Sequence, residues 1–213
     1  MIALAFAISG LAGDNARVWM ERWEKDGKVG GDWQWEQACS RLLLARRLNP
    51  LKADYHADFG HLMAWGAWSR FPDRDGCAGG RPGAELAYAK SIDARPGWGY
   101  AWASFAENRL LQGKSDASFL HALEMSIVLA PWEPWVQKKV AWMGMATWND
   151  LPADLQQLVL ESIERTVALG HFPYEIVRLA VQYDWLDRLR PMLQTVRQVQ
   201  AMEFVLKQLD AQW

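Results

Sequence analysis

The chain has 213 residues, of which 51% are hydrophobic, so it can bury about 70% of its unfolded surface in a core and is not disordered. Its 23 basic and 25 acidic residues give a net charge of -2, which does not provide the positive surface that nucleic-acid binding needs. We therefore expect one domain or one array of helical repeats, with no nucleic acid among its partners.

The first segment of the chain, residues 2–12 (IALAFAISGLA), is apolar and uncharged. It resembles the apolar part of an export signal, although no basic residue precedes it, and it is shorter than the about 20 residues that span a bilayer. We expect residues 1–13 to be the remnant of a signal or anchor segment and residues 14–213 to form a single helical-repeat domain. The alternative is a buried first helix.

The rest of the chain has helical periodicity, and the sequence shows no convincing strand alternation. Alanine, leucine, glutamine, glutamate and arginine dominate the composition and favour helices. The sequence therefore predicts an all-α fold. Pro50, Pro96, Pro131 and Pro173 each follow a helix-like segment, which is a common position for proline and indicates boundaries between repeats.

The residues around these prolines recur at equal offsets. A large residue and a small one stand eight and five positions before each of the first three prolines: Leu42 and Ala45, Tyr88 and Ser91, Leu123 and Ser126. A second such pair stands nine and ten positions after them: Phe59 and Gly60, Phe105 and Ala106, Val140 and Ala141. Over residues 33–148 this pattern resembles the tetratricopeptide family, whose helix-turn-helix repeat has about 34 residues. The resemblance implies a helical-repeat solenoid.

Two regions depart from the repeat. Residues 69–83 (SRFPDRDGCAGGRPG) contain two prolines and four glycines, which predict a loop insertion without a phosphate-binding motif. After Pro173 the pattern predicts a short helix to Tyr183, a turn at Asp184, a short helix to Leu193 and a last helix over residues 195–212. The last helix is amphipathic and is predicted to cap the apolar end of the solenoid.

Catalytic motifs are missing from the sequence, which has no HExxH, GxSxG, Walker or CxxC pattern. The strongest candidate is the group Asp54, His56, Asp58 and His61, because carboxylates and imidazoles can bind zinc. The two histidines lie about 140° apart around a helix, whereas helical metal pairs sit three or four residues apart. We therefore predict no enzymatic activity, no metal and no cofactor.

The two cysteines, Cys39 and Cys77, are too few for a disulfide scaffold or a structural zinc site. We interpret them as free thiols, with a single bridge between them as the alternative. They do not indicate the cellular compartment.

The chain contains 14 tryptophans. Trp98, Trp102 and Trp132 lie close to the boundary prolines and are predicted to be structural. The tetratricopeptide resemblance implies that the first helix of each repeat lines a concave binding face. The same offsets from the prolines place Ala57 and Ala103 on that face, together with the candidate binding residues His61, Trp65, Tyr100, Glu107, Trp135, Lys138 and Trp142. Aromatic rings beside polar groups suit a sugar polymer and an extended peptide equally well.

Four segments carry a closer resemblance: RRLNPLKADYHADFGHLMAW, ARPGWGYAWASFAENRLLQG, SIVLAPWEPWVQKKVAWMGMATWNDL and EIVRLAVQYDWLDRLRPML. Between about residues 33 and 193 the chain resembles VpsP-type polysaccharide biosynthesis proteins, which are accessory proteins of bacterial exopolysaccharide and biofilm-matrix clusters. Members of that family generally begin with a membrane anchor, and the start of this chain is shorter and charge-free.

The resemblance implies a non-enzymatic adaptor or scaffold for exopolysaccharide synthesis or export. Its partners are then proteins of the synthesis or export complex. A polysaccharide-binding module that uses the aromatic residues of the concave face is the alternative function. The expected location is periplasmic or associated with the inner membrane, with the cytoplasm as the alternative.

Overall fold

The structure is a computed structural model that describes residues 2–69, 80–171 and 173–210. Every regular element in these residues is helical, so the predicted all-α class is confirmed. The helices are α1 Ile2–Asp26, α2 Asp32–Leu48, α3 Ala53–Ser69, α4 Gly80–Ala94, α5 Gly99–Leu110, α6 Ala117–Leu129, α7 Pro134–Thr147, α8 Ala153–Ala168, α9 Pro173–Gln182, α10 Leu186–Leu189 and α11 Val196–Asp210. Two short 3-10 turns, Trp148–Asp150 and Arg190–Met192, follow α7 and α10.

The chain divides into two compact units. The first unit, Met1–Gln112, contains α1 to α5, and the second, Gly113–Trp213, contains α6 to α11. The sequence predicts a single repeat domain over residues 14–213, and the division at Gln112 and Gly113 lies inside that range. In the first unit α3 packs against α4 and α1 packs against α2, and in the second α7 packs against α8 and α9.

The three boundary prolines with matching flanks form the same backbone turn. Each of the helices α3, α5 and α7 begins three residues after its proline. A backbone hydrogen bond closes each turn, from the residue two positions after the proline to the residue before it. The bonds are Lys52 N to Asn49 O, Trp98 N to Arg95 O, and Glu133 N to Ala130 O.

A side chain bonds to the proline carbonyl in each turn. The donor stands six residues after the proline: His56 Nε2 to Pro50 O, Trp102 Nε1 to Pro96 O and Gln137 Nε2 to Pro131 O, each at 2.7 Å. The His56 ring donates through Nε2 because its Nδ1 accepts from Arg46 Nε at 3.0 Å. Three different residue types thus donate a hydrogen bond to the equivalent proline carbonyl. The helix pairs α2–α3, α4–α5 and α6–α7 are therefore joined by the same kind of turn.

The large and small pairs that define the repeat in sequence lie in the cores. Leu42, Ala45, Leu123 and Ser126 are fully buried, and so is Val140 with its neighbour Ala141. Gly60 of α3 has no room for a side chain, because a Cβ there would lie 2.8 Å from the ring of Tyr88 on α4. The small residues therefore allow close helix contact, as the pattern predicts.

The predicted loop over residues 69–83 is wrong at its C-terminal end. α3 continues to Ser69, residues 70–79 lie outside the described residues, and α4 begins at Gly80. Gly80 to Gly83 therefore belong to the first turn of a helix despite their glycines and Pro82. Proline is tolerated in a first turn because the backbone N–H groups there have no partner within the helix.

The elements after Pro173 follow the predicted order. Asp184 has a φ of 56°, which marks the turn between α9 and α10. The last helix, α11, packs against α9 and begins with a capping box in which Thr195 Oγ1 accepts from Gln198 N at 3.3 Å. Gln198 Oε1 in turn accepts from Thr195 N at 2.9 Å. That α11 caps a solenoid stays a prediction.

The first helix continues through residue 13 without a break and has two different halves. Its C-terminal half is buried through Ala16, Met20 and Trp23 in the core of the first unit. Its first turns expose apolar side chains, among them Leu4, Phe6 and Ile8. Within residues 2–12 Ser9 and Ala12 are buried as well, so the alternative of a buried first helix is correct for part of that segment. Within the described residues, no helix combines the length and the hydropathy that crossing a membrane requires.

Candidate functional site

The seven predicted binding residues are divided between the two units. The first unit holds His61, Trp65, Tyr100 and Glu107, and the second holds the remaining three, which all belong to α7. Ala57 and Ala103, which share their predicted face, are fully buried. For these two alanines the predicted position on an open binding face is wrong, because neighbouring helices cover that side of α3 and α5.

In the first unit Trp65 belongs to an aromatic cluster. Its ring centroid lies 4.3 Å from that of His61 and 6.3 Å from that of Trp23. Trp23 stacks on Trp35 at 6.5 Å with an interplanar angle of 19°. Trp35 is 3% exposed, and Gly66 of α3 leaves room for it. The half-buried His61 and Trp65 are therefore mainly packing residues at the edge of this cluster.

Tyr100 and Glu107 lie on α5 and are half-buried. Burial raises the pKa of Tyr88 well above its usual range, and the nearby Tyr100 and Glu107 raise it further. Tyr100 also contacts Trp98, with 5.4 Å between ring centroids. Both residues thus lie close to the buried Tyr88 of α4.

The histidine and aspartate group proposed from the sequence as a zinc candidate has structural roles. His56 is buried, and both of its ring nitrogens are engaged, by Arg46 and by the Pro50 carbonyl. Asp58 pairs with Arg17 of α1 at 2.7 Å. Among the described residues, no three His, Cys, Asp or Glu side chains are arranged to hold a metal ion.

A polar network between α4 and α5 gave no signal in the sequence. Arg109 forms an ion pair with Glu85, and Gln112 Nε2 donates to the other carboxylate oxygen at 2.8 Å. Asn108 Nδ2 donates to Arg81 O at 2.8 Å. These residues match no motif because the partners lie more than 20 positions apart. Since they bind one another across two helices, they hold the helix pair together.

In the second unit the three predicted residues share one surface with α9. We call it the α7–α9 face, formed by Trp135, Lys138 and Trp142 of α7 with Glu175 of α9 and Tyr183, which directly follows α9. Lys138 Nζ lies 3.5 Å from Glu175 Oε1, and Trp142 Nε1 donates to Tyr183 Oη at 3.0 Å. Lys138 Nζ also lies 5.4 Å from the ring centroid of Trp135.

Trp135 is the exposed member of the α7–α9 face, with 60% of its surface accessible. The spacing along α7 predicts that its three residues share a side of the helix, and the contacts agree. Glu175 and Tyr183 were missed, because only the packing of α9 against α7 brings them there.

Two predictions about individual residues are corrected here. Trp132 is 65% exposed, with the Arg165 guanidinium 5.8 Å from its ring centroid, so its assignment as a structural residue is wrong. Cys39 is fully buried and disulfide-bonded, so its interpretation as a free thiol is wrong. Cys77 lies outside the described residues. Trp102 keeps a structural role through its bond to Pro96 O, and it is half-buried.

Comparison with known proteins identifies no relative: no family model, no curated protein and no solved structure matches this chain. The function is therefore proposed from the chain's own residues and from the resemblance given above.

Proposed function

We propose that this chain is a non-enzymatic adaptor of bacterial exopolysaccharide synthesis or export, built as a tetratricopeptide-like solenoid. The three equivalent proline joints support the repeat architecture. The α7–α9 face is its binding surface for a segment of a partner protein of the synthesis or export complex. The observation that carries this proposal is the exposed ring of Trp135 beside the Lys138–Glu175 ion pair.

The chemistry of the α7–α9 face suits a peptide. Tryptophan is enriched among the few residues that supply most of the binding energy at protein interfaces. The Trp135 ring offers apolar area at little conformational cost, and the ion pair beside it presents one cation and one anion. A partner segment with an apolar side chain flanked by polar groups can cover the ring and bond to both charges.

Two observations support a location at the membrane on the oxidising side. The exposed side chains of Leu4, Phe6 and Ile8 offer an apolar helix end to a lipid surface. Cys39 is disulfide-bonded, and disulfides persist mainly in oxidising compartments such as the bacterial periplasm.

The second candidate function is polysaccharide binding. It is favoured by the presence of two exposed rings, Trp132 and Trp135, three residues apart in sequence. The apolar faces of sugar rings pack against such aromatic side chains. The adaptor remains our first proposal because an exposed ring with an ion pair beside it matches the aromatic centre and polar rim of a protein interface.

A pair of matched tryptophan variants tests both functions. Trp33 of α2 is 64% exposed, so Trp33→Ala removes a similar ring from a different surface. Tagged full-length protein is purified from the native host after crosslinking, and the partners are identified by mass spectrometry. We expect a named component of polysaccharide synthesis or export with the wild type and with Trp33→Ala, and its loss with Trp135→Ala.

Titration of the protein with the purified matrix polysaccharide tests the second candidate function. If the protein is an adaptor, the polysaccharide should cause no saturable change in tryptophan fluorescence. Saturable binding that Trp135→Ala abolishes, without any protein partner, would establish the glycan-binding module instead. If the wild type, Trp33→Ala and Trp135→Ala recover the partner equally, the α7–α9 face is not the binding surface.

A further inference from the structure

A partly enclosed pocket lies in the second unit, away from the residues of the α7–α9 face. It has a volume of about 410 Å³ and is bounded by the end of α8, by α9, by α10 and by the first turns of α11. The volume lies in the range of about 300 to 1,000 Å³ that is typical of small-molecule sites. Packing of four helices that are separate in sequence creates this space.

The inner walls of the pocket are apolar. Each bounding helix contributes at least one buried aliphatic or thioether side chain: Val167 from α8, Ile176 from α9, Leu189 from α10 and Met202 from α11. Such walls favour a ligand with a hydrocarbon body, because the burial of apolar surface stabilises a complex.

The rim of the pocket is polar and carries positive charge. Arg197 lines it from the first turn of α11, and it is exposed to solvent. Among the described residues that line the pocket, none is acidic. A negatively charged group at the rim therefore gains an attractive partner and meets no carboxylate.

The end of α8 does not favour a cation at the same rim. A helix C-terminus attracts cations through its unpaired carbonyls, but two of these are occupied. Thr166 O accepts from His171 N at 3.1 Å, and Val167 O accepts from Gly170 N at 3.0 Å. Val167 O also accepts from Gln198 Nε2 at 2.9 Å. The Gln198 bond in addition fixes the start of α11 against α8, so the rim is held in place.

We infer that this pocket binds the acyl chain of an anionic amphiphile of the fatty-acid class, with the carboxylate at Arg197. At roughly 30 Å³ for each water-sized group, a pocket of about 410 Å³ holds a hydrocarbon tail of the length in dodecanoate. The chain lies along Ile176, Leu189 and Met202, and the head group stays at the open rim. This site is independent of the α7–α9 face and of the adaptor function.

Calorimetric titration of the full chain with dodecanoate, below the concentration at which micelles form, tests the site. We expect saturable binding of one molecule per chain, with unchanged helical circular dichroism. Among straight-chain carboxylates from hexanoate to hexadecanoate, affinity should reach its maximum near 12 carbons. Dodecyltrimethylammonium has the same tail with a cationic head, and we expect it to bind at least 10-fold more weakly.

Two variants on α11 form a matched pair for the head group. Arg197→Gln removes the cation at the rim, and we expect the dissociation constant to rise roughly 2- to 5-fold, as for the loss of one exposed ion pair. Lys207→Gln removes an exposed charge further along the same helix and outside the pocket. It should leave the affinity unchanged.

A third variant, Ala201→Phe, fills the pocket from α11 and should abolish binding of the hydrocarbon tail. If Ala201→Phe unfolds the protein, the comparison of Arg197→Gln with Lys207→Gln still tests the site. Both side chains are exposed, so neither substitution should unfold the chain. Equal affinity for the anionic and cationic amphiphiles, or an equal effect of Arg197→Gln and Lys207→Gln, would overturn the inference. Absence of saturable binding to the wild type would overturn it as well.

Discussion

Tryptophan is used differently at one site in each unit. In the first unit Trp23 and Trp35 are almost completely buried, and they stack on each other and contact Trp65. In the second unit Trp132 and Trp135 each have 60% or more of their surface exposed, with a cationic side chain near the ring. Two equivalent joint residues also differ between the units, in whether the side chain titrates. His56 is a buried titratable donor in the first unit, and Gln137 is a buried neutral donor in the second.

The contrast shows that a tryptophan's role depends on what covers its two faces. Other rings and apolar side chains cover Trp23 and Trp35, so removal of one of these rings leaves a cavity. In the second unit solvent and a cation face the rings of Trp132 and Trp135, so their removal costs little stability. We therefore expect mutations to separate stability from the proposed binding function.

The largest expected effect is that of Trp35→Ala. Trp35 is 3% exposed and lies in the core of the first unit, so the cavity should lower the free energy of unfolding by about 3 to 5 kcal/mol. Urea unfolding followed by circular dichroism measures this value. A loss below about 1 kcal/mol would contradict the burial of Trp35 in the cluster. Trp35 would then contribute no more to stability than an exposed tryptophan such as Trp135.

Gly66→Ala should destabilise the same cluster by overpacking it. A Cβ at position 66 would lie 2.7 Å from the Trp35 ring. The shift of the ring should cost about 1 to 3 kcal/mol, partly offset by up to about 1 kcal/mol of helix propensity. Gly10→Ala in α1 is the control, because nothing lies within 4 Å of its Cβ and the change should be neutral or stabilising. Equal effects of the two substitutions in thermal unfolding would argue against the close contact.

A smaller effect, dependent on pH, is expected at His56. Burial lowers the pKa of His56, and the nearby positive charge of Arg46 lowers it further, whereas the bond to Pro50 O acts in the opposite direction. The unfolded chain, with a histidine pKa of about 6.5, then binds a proton more readily than the folded protein. The contribution of the neutral ring is therefore fully present above about pH 6.5 and is lost as the pH falls through the lowered folded pKa.

His56→Gln tests this dependence because it copies the donor that Gln137 provides at the third joint. The variant can still donate to Pro50 O, but it does not titrate. Between pH 7 and pH 5 the wild type should lose more unfolding free energy than the variant. Identical pH profiles in chemical denaturation would show that His56 keeps an ordinary pKa.

The smallest expected effect on stability is that of Trp135→Ala. Because the ring is 60% exposed, the free energy of unfolding should change by less than about 0.5 kcal/mol. The variant should nevertheless lose the binding partner, as proposed for the α7–α9 face. A stability loss above about 2 kcal/mol would mean that Trp135 is a core residue, and it would remove the contrast with Trp35.

Local signals in the sequence predicted much of the helical framework. Proline before each of α3, α5 and α7, with large and small residues at fixed offsets, located three similar joints. The turn at Asp184 and the short helices around it were also predicted, because the residues that form them are adjacent in sequence. The error at Gly80 to Gly83 has a local cause as well, since glycine and proline disfavour the interior of a helix more than its first turn.

The sequence by itself determined the helical class, the three proline joints and the shared side of Trp135, Lys138 and Trp142 on α7. Each depends on residues that are close in sequence, where backbone geometry sets the spacing. Only the tertiary structure decided that Ala57 is covered whereas Trp135 is open, and that Glu175 and Tyr183 complete the face. Periodicity sets which residues share a side of a helix, but the neighbouring helix that covers this side comes from elsewhere in the chain. The pocket rimmed by Arg197 has the same origin, because four helices must pack before it exists.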